Sequence, residues 1–135
     1  IHTQTFQIAM SEVDASQIHF TALFRWMDRG LSEWLALVGR PFTRLLVEGP
    51  GIPIVDARAQ FHGRIMLDDQ ITLTTFVSAI GRTSFCTRHR FSRAGELVAT
   101  GELVHVCVDR TTRETIAVPD WVREAAVPGD VTEPT

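Results

Sequence analysis

Two cysteines, Cys86 and Cys107, are all that the 135 residues carry, too few for a disulfide-stapled scaffold. Both fall inside strand-like runs and read as reduced core thiols. No apolar run reaches membrane length and no segment has the pattern of a secretory signal. No membrane partner is therefore expected, and the cytoplasm is the default location. Internal repeats, low-complexity tracts and linkers are also lacking, which leaves one domain over residues 1–135. Its last stretch, 127–135, holds two prolines and a glycine and reads as a flexible tail. Basic residues are outnumbered, 13 Lys and Arg against 16 Asp and Glu, and a net charge of −3 argues against a general nucleic-acid partner. There is no Gly-x-Ser-x-Gly and no phosphate loop, so a serine hydrolase of that type or a nucleotide hydrolase is not expected. His62, His89 and His105 lie on separate strand-like runs without ligand spacing or a cysteine partner, so no metal is expected.

What is present is an ordinary globular composition, 44% hydrophobic and 21% charged, with a length that supports a real core. One stretch stands out. From Phe20 to Val38, apolar residues recur in steps of three and four: Phe20, Leu23, Phe24, Met27, Leu31, Trp34, Leu35, Val38. That spacing predicts a helix with one buried stripe, while Arg25, Asp28, Arg29, Ser32 and Glu33 face outward. Gly39 suits a left-handed cap and Pro41 opposes continuation. Ahead of it, Phe6, Ile8 and Met10 alternate as a short strand leading to a polar loop that holds Asp14. After it, Arg40 to Gly51 reads as a loop ending in a strong turn, Glu48-Gly49-Pro50-Gly51. Strand patterns then fill Ile52 to Val108. Val55, Ala57, Ala59 and Phe61 share one face, as do Phe85, Thr87, His89 and Phe91; turns are expected at Asp68-Asp69, Gly81-Arg82 and Ala94-Gly95. Pro119 opens a short terminal helix to Ala126. Consecutive strands with short connections make an antiparallel sheet, and a single long amphipathic helix must bury its stripe on one face of it. The expected class is α+β.

A sheet wrapped around one long helix is the hot-dog architecture, and the residues agree. The Asp14 loop, His19-Phe20-Thr21, Arg25-Trp26-Met27-Asp28 and Gly51-Ile52-Pro53-Ile54-Val55 resemble acyl-CoA thioesterases of the 4-hydroxybenzoyl-CoA thioesterase type. So do Gly81-Arg82-Thr83-Ser84-Phe85, Val106-Cys107-Val108-Asp109 and Ala117-Val118-Pro119. The similarity runs in order from about Phe6 to Ala126. One stretch departs: Asp14-Ala15-Ser16-Gln17-Ile18 is a residue shorter than the family loop and lacks its glycine, and Glu12 stands where a further Asp is common. The resemblance implies hydrolysis of an acyl-CoA thioester, no cofactor, and a homo-oligomer, a dimer or a tetramer, with active sites between subunits.

Thioester hydrolysis needs a polarised carbonyl and an attacking oxygen. Unpaired N–H groups at a helix start can supply the first, and the backbone N–H of Phe20 or Thr21 is the candidate. A carboxylate can supply the second, as general base or as nucleophile. Asp14 is the candidate by position and by resemblance; its alternative role is to cap the helix. His19 either orients substrate or is a hydrogen-bonded structural group. Glu12 and Glu33 are expected to be surface groups. Ile52 falls in the substrate-binding segment that the resemblance implies. Coenzyme A carries phosphates that suit arginine; Arg82 is the candidate, with Arg64 and Arg113 as helpers. Trp26 and Phe24 could shape an acyl pocket, with core packing the alternative for Phe24. A non-catalytic acyl-CoA binder is the rival reading.

Overall fold

The computed structural model describes residues 1–9, 13–14, 17–18 and 20–126, with 13–14 and 17–18 described by their backbone. The main sheet is antiparallel and has five strands: β1 (His2–Gln7), β4 (Ile54–Phe61), β5 (Gln70–Ile80), β6 (Ser84–Arg93) and β7 (Glu96–Val106), in the spatial order β1-β5-β6-β7-β4. A separate hairpin pairs β2 (Val13–Asp14) with β3 (Gln17–Ile18). The long helix is α1 (Ala22–Leu37), and it touches all five strands of the sheet. Two short helices, α2 (Phe42–Glu48) and α3 (Asp120–Ala125), complete the set. The expected antiparallel sheet over one long helix is what the chain forms. The region 127–135, expected as a tail, lies outside the described residues.

The buried stripe of α1 is Ala22, Leu23, Trp26, Met27, Gly30, Leu31, Trp34 and Leu35. It differs from the expected stripe at its start. The helix begins at Ala22 with Thr21 as N-cap, so Phe20 sits in the preceding turn and is 62% exposed. Phe24, expected against the sheet, is also exposed. At a helical step of about 100° it shares the edge of the stripe with Leu31 and Leu35, which are buried further along, so it is that edge at the first turn of α1 that stays uncovered. Trp26 is core rather than pocket, tilted against Phe6 at 4.9 Å and Phe91 at 6.0 Å between ring centroids.

Two more expectations need correction. Arg40 to Gly51 is not a loop throughout: α1 ends at Leu37, Gly39 turns the chain at a φ of 80°, and Pro41 serves as N-cap of α2, where its fixed φ and missing N–H cost little. In β4 the face expected to be shared by Val55, Ala57, Ala59 and Phe61 is not a core face; Val55 is 60% and Phe61 41% exposed. β4 is an edge strand paired only with β7 within the sheet, and a register shift between Ile54 and Asp56 breaks its alternation. The inner face of β6 holds as expected, with Phe85, Thr87, His89 and Phe91 all buried. The Ala94-Gly95 hairpin turn has both residues at positive φ, 50° and 81°, the geometry of a tight turn between twisted strands.

Candidate active site

The sequence-predicted residues sort to the two ends of α1. At its start, Asp14 lies on β2 with Gln17 of β3 as its Cα partner, upstream in sequence of the Phe20–Thr21 turn. The Asp14 side chain, His19 and Glu12 lie outside the described residues. In the first turn the Phe24 and Arg25 N–H groups both donate to the Thr21 carbonyl, at 3.2 and 3.5 Å.

The other end holds Ile52 and Arg82. Trp34, near the helix C-terminus, packs on Phe85 at 6.5 Å. Phe85 pairs with His105 across β6 and β7, and the Ile52 carbonyl lies 3.4 Å from His105 Nδ1. Arg82 sits in the turn before β6, exposed, with its carbonyl accepting from the Val118 N–H. A helix of 16 residues spans about 24 Å, so one chain does not bring Asp14 together with Ile52 and Arg82.

The segment around Ile52 is held by most of its carbonyls. Gly51 and Val108 exchange both backbone hydrogen bonds at 2.9 Å, and the Val106 N–H donates to Pro53 O at 3.1 Å. The Arg110 guanidinium donates to Leu45 O, Leu46 O and Gly49 O, at 2.9, 2.6 and 2.9 Å. A cation there caps the last carbonyls of α2, sharing Leu45 O with the Gly49 N–H, which donates to it at 3.1 Å. Beside this segment lies an apolar depression of about 280 Å³ lined by Phe42, Leu46, Pro50, Gly51, Ile52 and Pro53. A larger polar depression of about 450 Å³, with Arg58, Arg88 and Glu102 in its wall, lies on the sheet face away from α1 and includes none of the predicted residues.

The remaining candidates are dispersed. Glu33 is half-buried rather than freely exposed, because His2 Nε2 on β1 lies 2.7 Å from its Oε2. Arg64 and Arg113 are exposed on separate loops, and Arg113 adopts a positive φ of 64° in the turn after Asp109. Sequence reasoning missed a buried polar group, Thr75, Thr87, His89 and His105, all fully inaccessible. The polar side chains on the inner face of β6 were its only signal. Among the described residues no group of three or more His, Cys, Asp or Glu could hold a metal, and no helix is long and apolar enough to cross a membrane.

Comparison with known proteins decides the family. Residues 8–126 match the Thioesterase-like superfamily. The chain belongs to that superfamily. As a thioesterase-like protein it is 30% identical over 141 aligned positions to a 1,4-dihydroxy-2-naphthoyl-CoA hydrolase of Synechococcus sp. (strain WH7803), covering 96% of this chain and 92% of that one. It is 26% identical to the protein of the same name from Prochlorococcus marinus (strain NATL1A), with 89% of each covered. Among solved structures, the 1,4-dihydroxy-2-naphthoyl-CoA thioesterase Slr0204 of Synechocystis superposes with a TM-score of 0.82 at 19% identity, over 95% of this chain and 96% of that one. An Asp-to-Asn mutant of 4-hydroxybenzoyl-CoA thioesterase in complex with 4-hydroxybenzoyl-CoA gives 0.80 at 24%, over 93% and 98%. These structural likenesses establish the hot-dog fold. The reaction class expected from sequence, hydrolysis of a CoA thioester, rests on the superfamily and its hydrolase relatives.

Proposed function

We propose that this thioesterase cleaves a CoA thioester whose acyl group is a hydroxylated aromatic acid, at sites completed by two copies of the chain. The names of its relatives support the acyl class. The observation that carries the two-copy reading is the split of the candidate residues between the ends of α1. The Phe61 end of β4 pairs with Ala99, level with the start of α1, and the Ile54 end pairs with His105, level with its finish. A two-fold axis between two β4 edges would set the Phe61 end of one against the Ile54 end of the other. The Asp14 end of one copy would then meet the Ile52 and Arg82 end of its partner. Exposed Ile54, Val55 and Phe61 on that edge favour coverage.

In this arrangement the N–H groups of Phe20 and Thr21, just ahead of α1, face the thioester carbonyl and stabilise the oxyanion. Asp14 either takes a proton from water as its oxygen attacks the carbonyl carbon, or attacks directly to give a mixed anhydride that water then opens. In both routes the C–S bond breaks and coenzyme A leaves as the thiolate, to be protonated by solvent. His19 orients the acyl group, Ile52 lines its site, and Arg82 contacts phosphate. Each subunit acts as one domain, and the assembly is a dimer or a tetramer of such pairs. Free Cys86 and Cys107 suit a reducing compartment such as the cytoplasm.

Thiol release from a panel of hydroxyaryl-CoA and aliphatic CoA esters tests this reading. Asp14→Asn keeps the side-chain shape and a capping oxygen but can neither accept the proton nor form the anhydride, so kcat should fall at least ~100-fold. Near-normal turnover by that variant would return Asp14 to a capping role. Arg82→Ala should raise KM with kcat almost unchanged, because a distant phosphate contact contributes equally to ground and transition states; an unchanged KM would remove Arg82 from the site.

A further inference from the structure

Beneath α1, four inaccessible side chains form a continuous chain of hydrogen bonds across the sheet. Thr75 Oγ1 lies 3.1 Å from His89 Nδ1, His89 Nε2 3.1 Å from Thr87 Oγ1, Thr87 Oγ1 3.0 Å from His105 Nε2, and His105 Nδ1 3.4 Å from the Ile52 carbonyl. The last partner fixes the direction of every proton. A carbonyl can only accept, so His105 carries its proton on Nδ1 and its Nε2 must accept. The Thr87 hydroxyl donates to that Nε2 and therefore accepts from His89 Nε2–H. His89 Nδ1 is left as an acceptor, filled by the Thr75 hydroxyl. Two histidines 16 positions apart thus hold opposite tautomers, both neutral. Burial pushes His89 down to about 3 and His105 down to about 4, so neither takes a second proton near neutrality. Phe85 stacks on the His105 ring at 4.7 Å and 17°, which fixes its plane. Gly30 of α1 roofs the other end, where a Cβ would stand 2.5 Å from Thr75 Oγ1 and 3.3 Å from His89 Nδ1.

We propose that His105, held in one tautomer by Thr87, His89 and Thr75, is a positioning residue that sets the Gly51–Ile52–Pro53 segment for substrate. This rests on the reading of that segment as substrate-facing. Gly51 O and Pro53 O are bound by backbone N–H groups of Val108 and Val106; the carbonyl between them is the one that a side chain holds. An apolar side chain at 105 would leave that carbonyl without its donor, and a His105 free to change tautomer would donate to it only part of the time. A fully connected polar chain admits one arrangement, which is how such chains specify geometry.

The test uses the full-length protein. In the wild type, ¹⁵N NMR of the imidazoles should find His105 protonated on Nδ1 and His89 on Nε2; the reverse for His105 would overturn the proposal, whatever the variants do. Thr87→Val keeps the shape and breaks the chain in the middle. Amide exchange should then speed up at Gly51 and Val106 by roughly 3- to 10-fold, the worth of one hydrogen bond, and stay unchanged at His62, whose N–H bonds Val98 at the far end of β7. KM for the CoA ester should rise by a similar factor with kcat nearly constant, and Thr87→Ser should restore both. Uniformly faster exchange across the sheet would make the chain a stabiliser of the core only. If the wild type cleaves no CoA thioester, the functional reading fails while the tautomer and exchange measurements still decide the positioning role.

Discussion

Gly30 and the two buried histidines place opposite demands on the same few ångströms. In a helix interior alanine is favoured over glycine by up to ~1 kcal/mol. At Gly30 the added methyl would meet Thr75 Oγ1 at 2.5 Å and Leu73 Cδ2 at 3.1 Å. Thr75 is a short, β-branched, inaccessible side chain already bonded to His89, so it has nowhere to turn. Overpacking should win, and Gly30→Ala should lower stability by about 1–3 kcal/mol, seen as a lower urea midpoint at unchanged m-value. Stability should also depend on pH through the same cluster. His89 and His105 fall from an ordinary 6.5 to about 3 and about 4 in the folded chain. The unfolded chain therefore binds more protons between those values and 6.5. Their contribution is present above pH 6.5, is lost as pH falls below it, and stops changing only below both folded values. Linkage gives a loss of about 2 kcal/mol per histidine between pH 7 and pH 5. Urea unfolding at the two pH values checks it; equal stability would mean that the rings are not held neutral by the fold.

At the scale of elements, α2 is seven residues long and buries only Leu45, too short to stand on propensity. Arg110 supplies what the sequence of α2 lacks, a cation and two N–H-bearing nitrogens at its C-terminal carbonyls. Arg110→Ala should destabilise the protein by about 1–3 kcal/mol, the range for charge-assisted hydrogen bonds. Amide protection should fall over Leu45–Gly49, and Arg110→Lys should restore only part of it because the ammonium lacks the planar fork. The sequence could not announce this contact, since it joins residues more than 60 positions apart, and so the α2 segment read as a loop ending in a turn. Other elements were plain. The 3.6-residue recurrence marked α1, the turns at Asp68-Asp69 and Gly81-Arg82 bounded β5, and strict alternation marked the inner face of β6. The first turn of α1 was misread because Phe20 and Phe24 are apolar yet exposed. An exposed hydrophobic residue gives the same signal in a sequence as one in a core. Likewise β4 has strand composition, and nothing in its residues says that only one edge is paired. The histidines of β6 and β7 were visible one by one, while their connection through Thr87 depends on the register between strands.

Over the whole molecule, the two halves of the candidate site are separated by the length of α1, and that separation yields a test that needs no structure of the assembly. If Asp14 of one copy works with Arg82 of another, each site draws one residue from each chain. Co-expression of Asp14→Asn and Arg82→Ala chains then gives mixed pairs with one doubly altered site and one site carrying both native residues. With random pairing half the dimers are mixed, and about one quarter of all sites are intact by symmetry. At substrate well below KM, where Arg82→Ala is also impaired, the mixture should recover turnover to about a quarter of the wild-type rate beyond what the altered sites contribute. Were both residues to serve a site within one chain, no intact site could arise and the rate would stay at the mean of the two parents. The β4 edge gives the matching control. Val55→Asp adds a charge to a residue already 60% exposed, which should leave the fold of an isolated chain nearly untouched. Buried in a β4–β4 interface, the same charge would be unpaired and costly. Light scattering at micromolar concentration should therefore show an oligomer for the wild type and a folded monomer for Val55→Asp, with thiol release lost alongside assembly. A wild type that is monomeric, or a monomeric variant that keeps full turnover, would put the complete site back within a single chain.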